Sequence, residues 1–255
     1  MLTTTLHLSR LPTEQKKPDK KMILEQLDKA KLALLDLVFP RRCLGCGSGE
    51  DFLCAKCCAS LPRIVPPICR RCGAPLKTGD LCARCQEAKP DLDGIRSLVR
   101  FEGLARQAIH SLKYRHFKAL AGPLGALLAD YLEGNPLPAD VIMPVPLHPR
   151  RLRERGYNQS ALVAQELSRR TGITFVESAL LKTKYTPPQA RSTDATERRS
   201  NVQGAFVYKG ASLAGKHVLL VDDVCTTGAT LEACASPLKA QGTASVWALT
   251  LAREV

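Results

Sequence analysis

No stretch of this 255-residue chain approaches the roughly 18 consecutive apolar residues of a membrane-spanning helix. The most apolar early segment, residues 22–39, is broken by Glu25, Asp28, Lys29, Lys31 and Asp36. An export signal is also missing. Residues 1–21 carry Arg10, Glu14, Lys16, Lys17, Asp19, Lys20 and Lys21, with no apolar core of the kind a signal peptide needs. These absences predict a cytoplasmic protein without membrane insertion. Acid is scarce as well: 24 Asp and Glu stand against 37 Lys and Arg, a formal net charge of +13. That balance favours an anionic partner, whether a phosphate-rich small molecule, nucleic acid or an acidic surface. With 45% hydrophobic and 24% charged residues, the composition excludes a disordered or fibrous chain. The length suits one large domain, or one domain with a small module.

Cysteine, by contrast, is abundant. Nine of the 11 cysteines fall between Cys43 and Cys85. In a reducing compartment such a cluster points to metal rather than to disulfides. Eight of the nine form CxxC pairs: Cys43/Cys46, Cys54/Cys57, Cys69/Cys72 and Cys82/Cys85. A two-residue spacer lets both thiolates of a pair face one tetrahedral ion, and Gly47 and Gly73 ease the turn that follows. Eight thiolates suffice for two structural zinc sites of four cysteines each. Sequential pairing (43/46/54/57, then 69/72/82/85) closes the shorter loops and is favoured over an interleaved arrangement. Cys58 is then a spare thiol. Each loaded site would carry a charge of about −2, lowering the formal +13 to about +9.

Along the chain, residues 1–21 read as a disordered extension, and both Met1 and Met22 stay open as the start. Residues 22–39 read as an amphipathic helix, with Ile23, Leu24, Leu27, Leu34, Leu35 and Val38 at helical spacing and Pro40 ending it. Residues 40–90 form the cysteine module. Over residues 91–255, strands are expected at 95–101, 141–145, 206–208, 217–221 and 245–251. Helices are expected at 104–112, 120–132, 160–170 and 229–240. This alternation predicts an α/β domain with a mainly parallel sheet, whose ligands bind at the carboxyl ends of the strands.

One such end stands out. Residues 217–231 read H-V-L-L-V-D-D-V-C-T-T-G-A-T-L. A buried strand ends in Asp222 and Asp223, a loop of small and hydroxylated residues follows (Thr226, Thr227, Gly228, Ala229, Thr230), and a helix opens. Backbone N–H groups at a helix N-terminus, flanked by threonine hydroxyls, suit a phosphate, and the two carboxylates suit ribose hydroxyls or a metal. A Walker A loop is excluded, since no GK[ST] is present.

This stretch resembles the phosphoribosyl pyrophosphate (PRPP) motif of type I phosphoribosyltransferases. The preceding cysteine module, the F-P-R-R-C-L-G-C-G run at 39–47, L-K-Y at 112–114, P-V-P-L-H-P-R-R-L-R-E-R-G-Y-N-Q at 144–159 and E-R-R-S-N-V-Q-G-A-F at 197–206 narrow the resemblance to the ComF (ComFC/GntX-like) family. The resemblance implies a double zinc ribbon before a Rossmann-like phosphoribosyltransferase domain. It also implies transfer of ribosyl phosphate from Mg²⁺-bound PRPP to an acceptor, with pyrophosphate release. Asp222 and Asp223 would hold the ribose, and residues 226–230 the 5′-phosphate. The basic segment at 146–159, with His148, Arg150, Arg151, Arg153 and Arg155, would be the pyrophosphate loop. Guanidinium forks suit pyrophosphate oxygens and a departing negative charge. Asn158 is placed to cap the next helix. A second polar and basic stretch, 182–205, stands where such enzymes carry a lid, with Arg198 and Asn201 singled out within it. The catalytic candidates are Asp222, Asp223, Arg155 and Arg198. His148 and Arg150 join the loop as PRPP-binding candidates. The alternative function is a non-catalytic factor that handles single-stranded DNA alongside competence-machinery proteins during DNA uptake. The acceptor and the oligomeric state stay open.

Overall fold

A computed structural model describes residues 41–49, 51–87, 90–185 and 204–255. The expected extension at 1–21, the expected helix at 22–39, and Arg198 and Asn201 lie outside the described residues. Each cysteine quartet ends on a short helix, α1 (Ala55–Ala59) or α2 (Ala83–Glu87). β1 (Gly94–Arg100), α3 (Gly103–Tyr114), a 3₁₀ turn (Lys118–Leu120), α4 (Ala121–Gly134) and β2 (Val141–Pro144) follow. Next come α5 (Pro149–Arg155), α6 (Gln159–Thr171), β3 (Thr174–Phe175), β4 (Leu180–Lys182) and β5 (Phe206–Tyr208). β6 (His217–Cys225), α7 (Ala229–Lys239) and β7 (Ser245–Arg253) complete the order.

The main sheet has five strands in the order β1-β7-β6-β2-β3, every pairing parallel. This is the expected α/β architecture with a Cys-rich amino-terminal module. β6 and β7 form its centre, which is why their sequences run apolar on both faces. Leu219, Val221, Leu249 and Leu251 face a core built with Ile109, Leu112, Leu128 and Leu167. Val218, Leu220, Val246 and Ala248 face a second core, where α7 contributes Leu231, Cys234, Ala235 and Leu238. β6 continues beyond its apolar run because its backbone pairs with β7 as far as Cys225 opposite Arg253. β4 and β5 pair antiparallel in a separate small sheet that packs beside α7.

One expectation is corrected. Residues 149–155 of the basic segment are helical rather than looped. Pro149 stands in the first turn, where its fixed φ fits, and the His148 side chain accepts a hydrogen bond from the Arg150 N–H (3.2 Å). Arg150 Nε also reaches Glu154 one turn on (3.1 Å), and Gly156, at φ 76°, ends the helix.

The cysteine module wraps the β1 edge of the sheet. Arg100 N–H donates to Pro62 O (2.8 Å) and Ile64 N–H to Leu98 O (3.1 Å), so the linker between the quartets covers an otherwise open strand edge. As a result the quartets separate. Cys43 and Cys57 join the core containing α3 and α4, while Cys69, Cys72 and Cys85 join the core containing α7.

Candidate functional site

The carboxyl ends of β6 and β2 lie side by side, with Pro144 opposite Val221 and Val145 N–H donating to Val221 O (2.9 Å). The acidic pair and the start of the basic segment are therefore neighbours. Asp222 is half-buried and accepts from Ser160 Oγ (2.7 Å) and from the Asp223 N–H (2.9 Å) on the same oxygen. Burial, followed by the adjacent Asp223 charge, pushes its carboxyl up to about 7, although Lys113, Ser160 and the Asp223 N–H pull the other way. Asp223 is 3% exposed. Its Oδ1 pairs with Lys113 Nζ at 2.7 Å, and its Oδ2 is buried without a hydrogen-bond partner. Burial alone would favour neutral Lys113, but contact with Asp223 outweighs it and lifts the ammonium above the ordinary lysine range. The unused Asp223 acceptor fits a ligand hydroxyl.

The loop between β6 and α7 opens the helix on a left-handed glycine cap. Gly228 takes φ +81°, a backbone angle that favours glycine, and a Cβ there would sit 2.9 Å from Ile95 Cδ1. Thr227 Oγ1 accepts from the Ala229 N–H (3.3 Å) at the opening of α7. Thr226 is exposed, and Thr227, Ala229 and Thr230 are half-buried.

The basic residues divide. His148 and Arg150 converge on Tyr185, the imidazole 5.2 Å from its ring centroid and the guanidinium 4.8 Å above it. Arg155 turns toward the helix α6 side: it donates to Gln159 Oε1 and lies 5.3 Å from the Tyr114 ring. Asn158 caps α6 as expected, accepting from Ser160 N–H (3.1 Å), and ties back to Val145 O (3.0 Å). Lys182, on β4, is held below the ordinary lysine value by burial, with Cys234 and then Asp222 opposing that shift.

Neither Lys113 nor Ser160 stands out in the sequence. The L-K-Y run is the one pointer to Lys113. Ser160 carries no signal beyond following the Asn158 cap.

Both cysteine quartets are assembled in chain order, Cys43/Cys46/Cys54/Cys57 and Cys69/Cys72/Cys82/Cys85, with the sulfurs of each within 4.8 Å of one another. The Cys46–Cys54 and Cys72–Cys82 Sγ separations are both 3.7 Å. A tetrahedral ZnS₄ centre with bonds near 2.3 Å has edges of about 3.8 Å, so the donor sets fit structural zinc. Burial opposes ionisation of Cys43, but N–H groups from Cys54, Cys46 and Gly45 outweigh it and bring the thiol down to about 6. Cys69 reaches about 6 in the same way. Contact with Cys43, then burial, pushes Cys57 up to about 12. Cys58 stands outside both quartets, bonded to Leu53 O (3.6 Å). Among the described residues no helix is long and apolar enough to cross a membrane.

A double zinc ribbon family model matches residues 34–86, and a phosphoribosyl transferase domain model matches residues 158–254. The DNA utilization protein YhgH of Escherichia coli O157:H7 is 33% identical over 203 residues, covering 77% of this chain and 88% of that protein. Competence protein F of Haemophilus influenzae Rd is 29% identical over 227 residues, covering 84% and 98%. Competence protein ComFC of Bacillus subtilis 168 is 26% identical over 212 residues, covering 80% and 85%.

Proposed function

The chain belongs to the ComF family, a double zinc ribbon followed by a phosphoribosyltransferase domain, and from that premise we propose that it binds PRPP and transfers its ribosyl phosphate to an acceptor nucleophile. The observation that carries this reading is the junction of β6 and α7. There a buried carboxylate with an unused oxygen precedes a glycine-pinned loop at a helix N-terminus. Loop N–H groups and threonine hydroxyls take the 5′-phosphate. Asp222 and the free Oδ2 of Asp223 accept from the ribose hydroxyls. His148 and Arg150, at the end of the neighbouring strand, face the pyrophosphate and neutralise charge as it departs. Bound Mg²⁺ would add Lewis-acid neutralisation of the same oxygens. No protein nucleophile is required, because positioning and charge neutralisation account for the chemistry. Titration calorimetry with PRPP and Mg²⁺ is expected to show at least tenfold weaker binding, about 1.4 kcal/mol, for the double variant Asp222→Asn/Asp223→Asn. Equal binding by the two proteins would remove the assignment.

A second reading, single-stranded DNA handling, has its own support. Tyr114 is 62% exposed and Arg155 lies against its ring, an aromatic and cationic pairing suited to stacking a base beside a phosphate. The names of the relatives also refer to DNA utilization and competence. Affinity for an oligodeoxythymidine is expected to fall steeply with salt and to weaken in Tyr114→Ala. A salt slope near zero sinks this reading.

A further inference from the structure

Arg253, the last residue of β7, is the largest fully buried side chain among the described residues, at 2% exposure. Its guanidinium joins two features that are distant in the sequence, one of them 181 positions from Arg253 itself. Nη2 donates to the backbone carbonyl of Cys72, a ligand residue of the second quartet. Nη1 donates to the carbonyl of Thr226, the first residue of the phosphate loop (3.3 Å), and to Cys225 Sγ (3.1 Å). Nε is buried without a partner, and among the described residues no carboxylate lies within ion-pair distance of it.

A buried cation without a counter-charge is costly. The nearby candidate for that counter-charge is the second quartet, which carries about −2 once four thiolates hold one Zn²⁺. A parallel mechanical contact runs beside the guanidinium. Ile95 N–H donates to Arg71 O (2.6 Å). Gly73, at φ +69°, lies so close to Ile95 that a Cβ would fall 2.5 Å from its carbonyl oxygen. The Ile95 side chain in turn packs under Gly228. The Cys72 turn therefore touches the phosphate loop by two routes, one electrostatic and one steric. The first quartet packs in the opposite core, and none of its cysteines bonds to this loop.

We propose that Arg253 is a positioning residue that couples metal occupancy of the second cysteine quartet to the conformation of the phosphate loop, so that zinc at this site alone sets the loop for sugar-phosphate binding. The functional half of this inference rests on the PRPP reading above; the structural half does not. Coupling of this kind is reciprocal, so ligand on the loop must also tighten zinc in the second quartet.

The test uses the full chain loaded with zinc. Hydrogen exchange at residues 223–230, without any ligand, is expected to accelerate at least tenfold in Arg253→Met and in Cys82→Ser, with α4 exchange unchanged. Arg253→Lys, which keeps the charge but not the fork, should fall between. Cys46→Ser in the first quartet should leave the loop at the wild-type rate. Zinc release to a chromogenic chelator should then slow severalfold, from the second quartet only, when PRPP and Mg²⁺ saturate the wild type. Wild-type loop exchange in Arg253→Met or Cys82→Ser overturns the proposal, as does an equal effect from Cys46→Ser. Loosening of α4 along with the loop in both Arg253 variants also overturns it, by marking the residue as merely structural. If PRPP fails to bind the wild type, the PRPP reading falls, while the exchange comparison still decides the coupling.

Discussion

Replacing Lys113 with methionine is expected to destabilise the protein by about 3 kcal/mol at pH 7, because it leaves the Asp223 carboxylate buried without its cation. The pair is 2.7 Å apart and the Asp223 side chain is 4% exposed, so water replaces the ammonium poorly. Asp222 stands next to it on the same strand and already carries a raised pKa, so the loss leaves two adjacent acids without the ammonium that directly contacts Asp223. Lysine 113 also reaches the pair from another element, the last turn of α3, and its removal loosens the α3 end from the sheet. Methionine keeps the length and apolar stem, so the loss reports charge rather than volume. A second substitution, Asp223→Asn, in the Lys113→Met background should restore most of the stability, since a neutral amide needs no counter-ion. Urea unfolding of the four proteins closes the cycle. A coupling energy within about 0.5 kcal/mol of zero would show that the pair contributes nothing beyond its two members.

That ion pair also marks where the sequence stopped being readable. The acidic pair and the phosphate loop are contiguous in the chain, so strand, carboxylates, glycine and helix start could all be recognised in one window. The cysteine quartets were legible for a related reason: loop-closure entropy favours neighbours, and the structure assembles 43/46/54/57 and 69/72/82/85. The parallel sheet followed from apolar runs that are buried on both faces. Lys113, Ser160 and Arg253 are different. Ser160 meets Asp222 across 62 positions, and only the fold brings them together. Lys113 looks like any polar residue on an amphipathic helix. Arg253 did leave a trace, as a lone cation closing an apolar strand, but nothing local tells a buried arginine from one that reaches solvent at a strand end. The helix at 149–155 was hidden by its own charge. Its arginines point to an anion, while Pro149 and the Arg150–Glu154 spacing, which favour a helix, carry the structural message.

Asp222→Asn is expected to stabilise the protein above neutral pH, by about 2–4 kcal/mol at pH 8, with the gain disappearing toward pH 4. The sign follows from burial. Burial and the Asp223 charge lift the folded carboxyl from 3.8 to about 7. Between those values the folded chain holds a proton that the unfolded chain has released, so wild-type stability falls as pH rises across this window. The contribution of Asp222 is complete below about pH 4 and is lost once the pH passes 7. An amide at this position keeps the Ser160 and Asp223 N–H hydrogen bonds to Oδ1 and never ionises, so the variant should show a flatter profile. Urea unfolding of both proteins at unit steps from pH 4 to pH 8 checks this; a difference that does not change with pH would assign the effect to packing instead. The proposed chemistry gives the charge at Asp222 its reason. A carboxylate accepts ribose hydroxyls more strongly than an acid or an amide does, so PRPP affinity should rise around pH 7, where the folded carboxyl ionises at the upper end of the range in which stability declines, and the asparagine variant should lose that rise along with the instability.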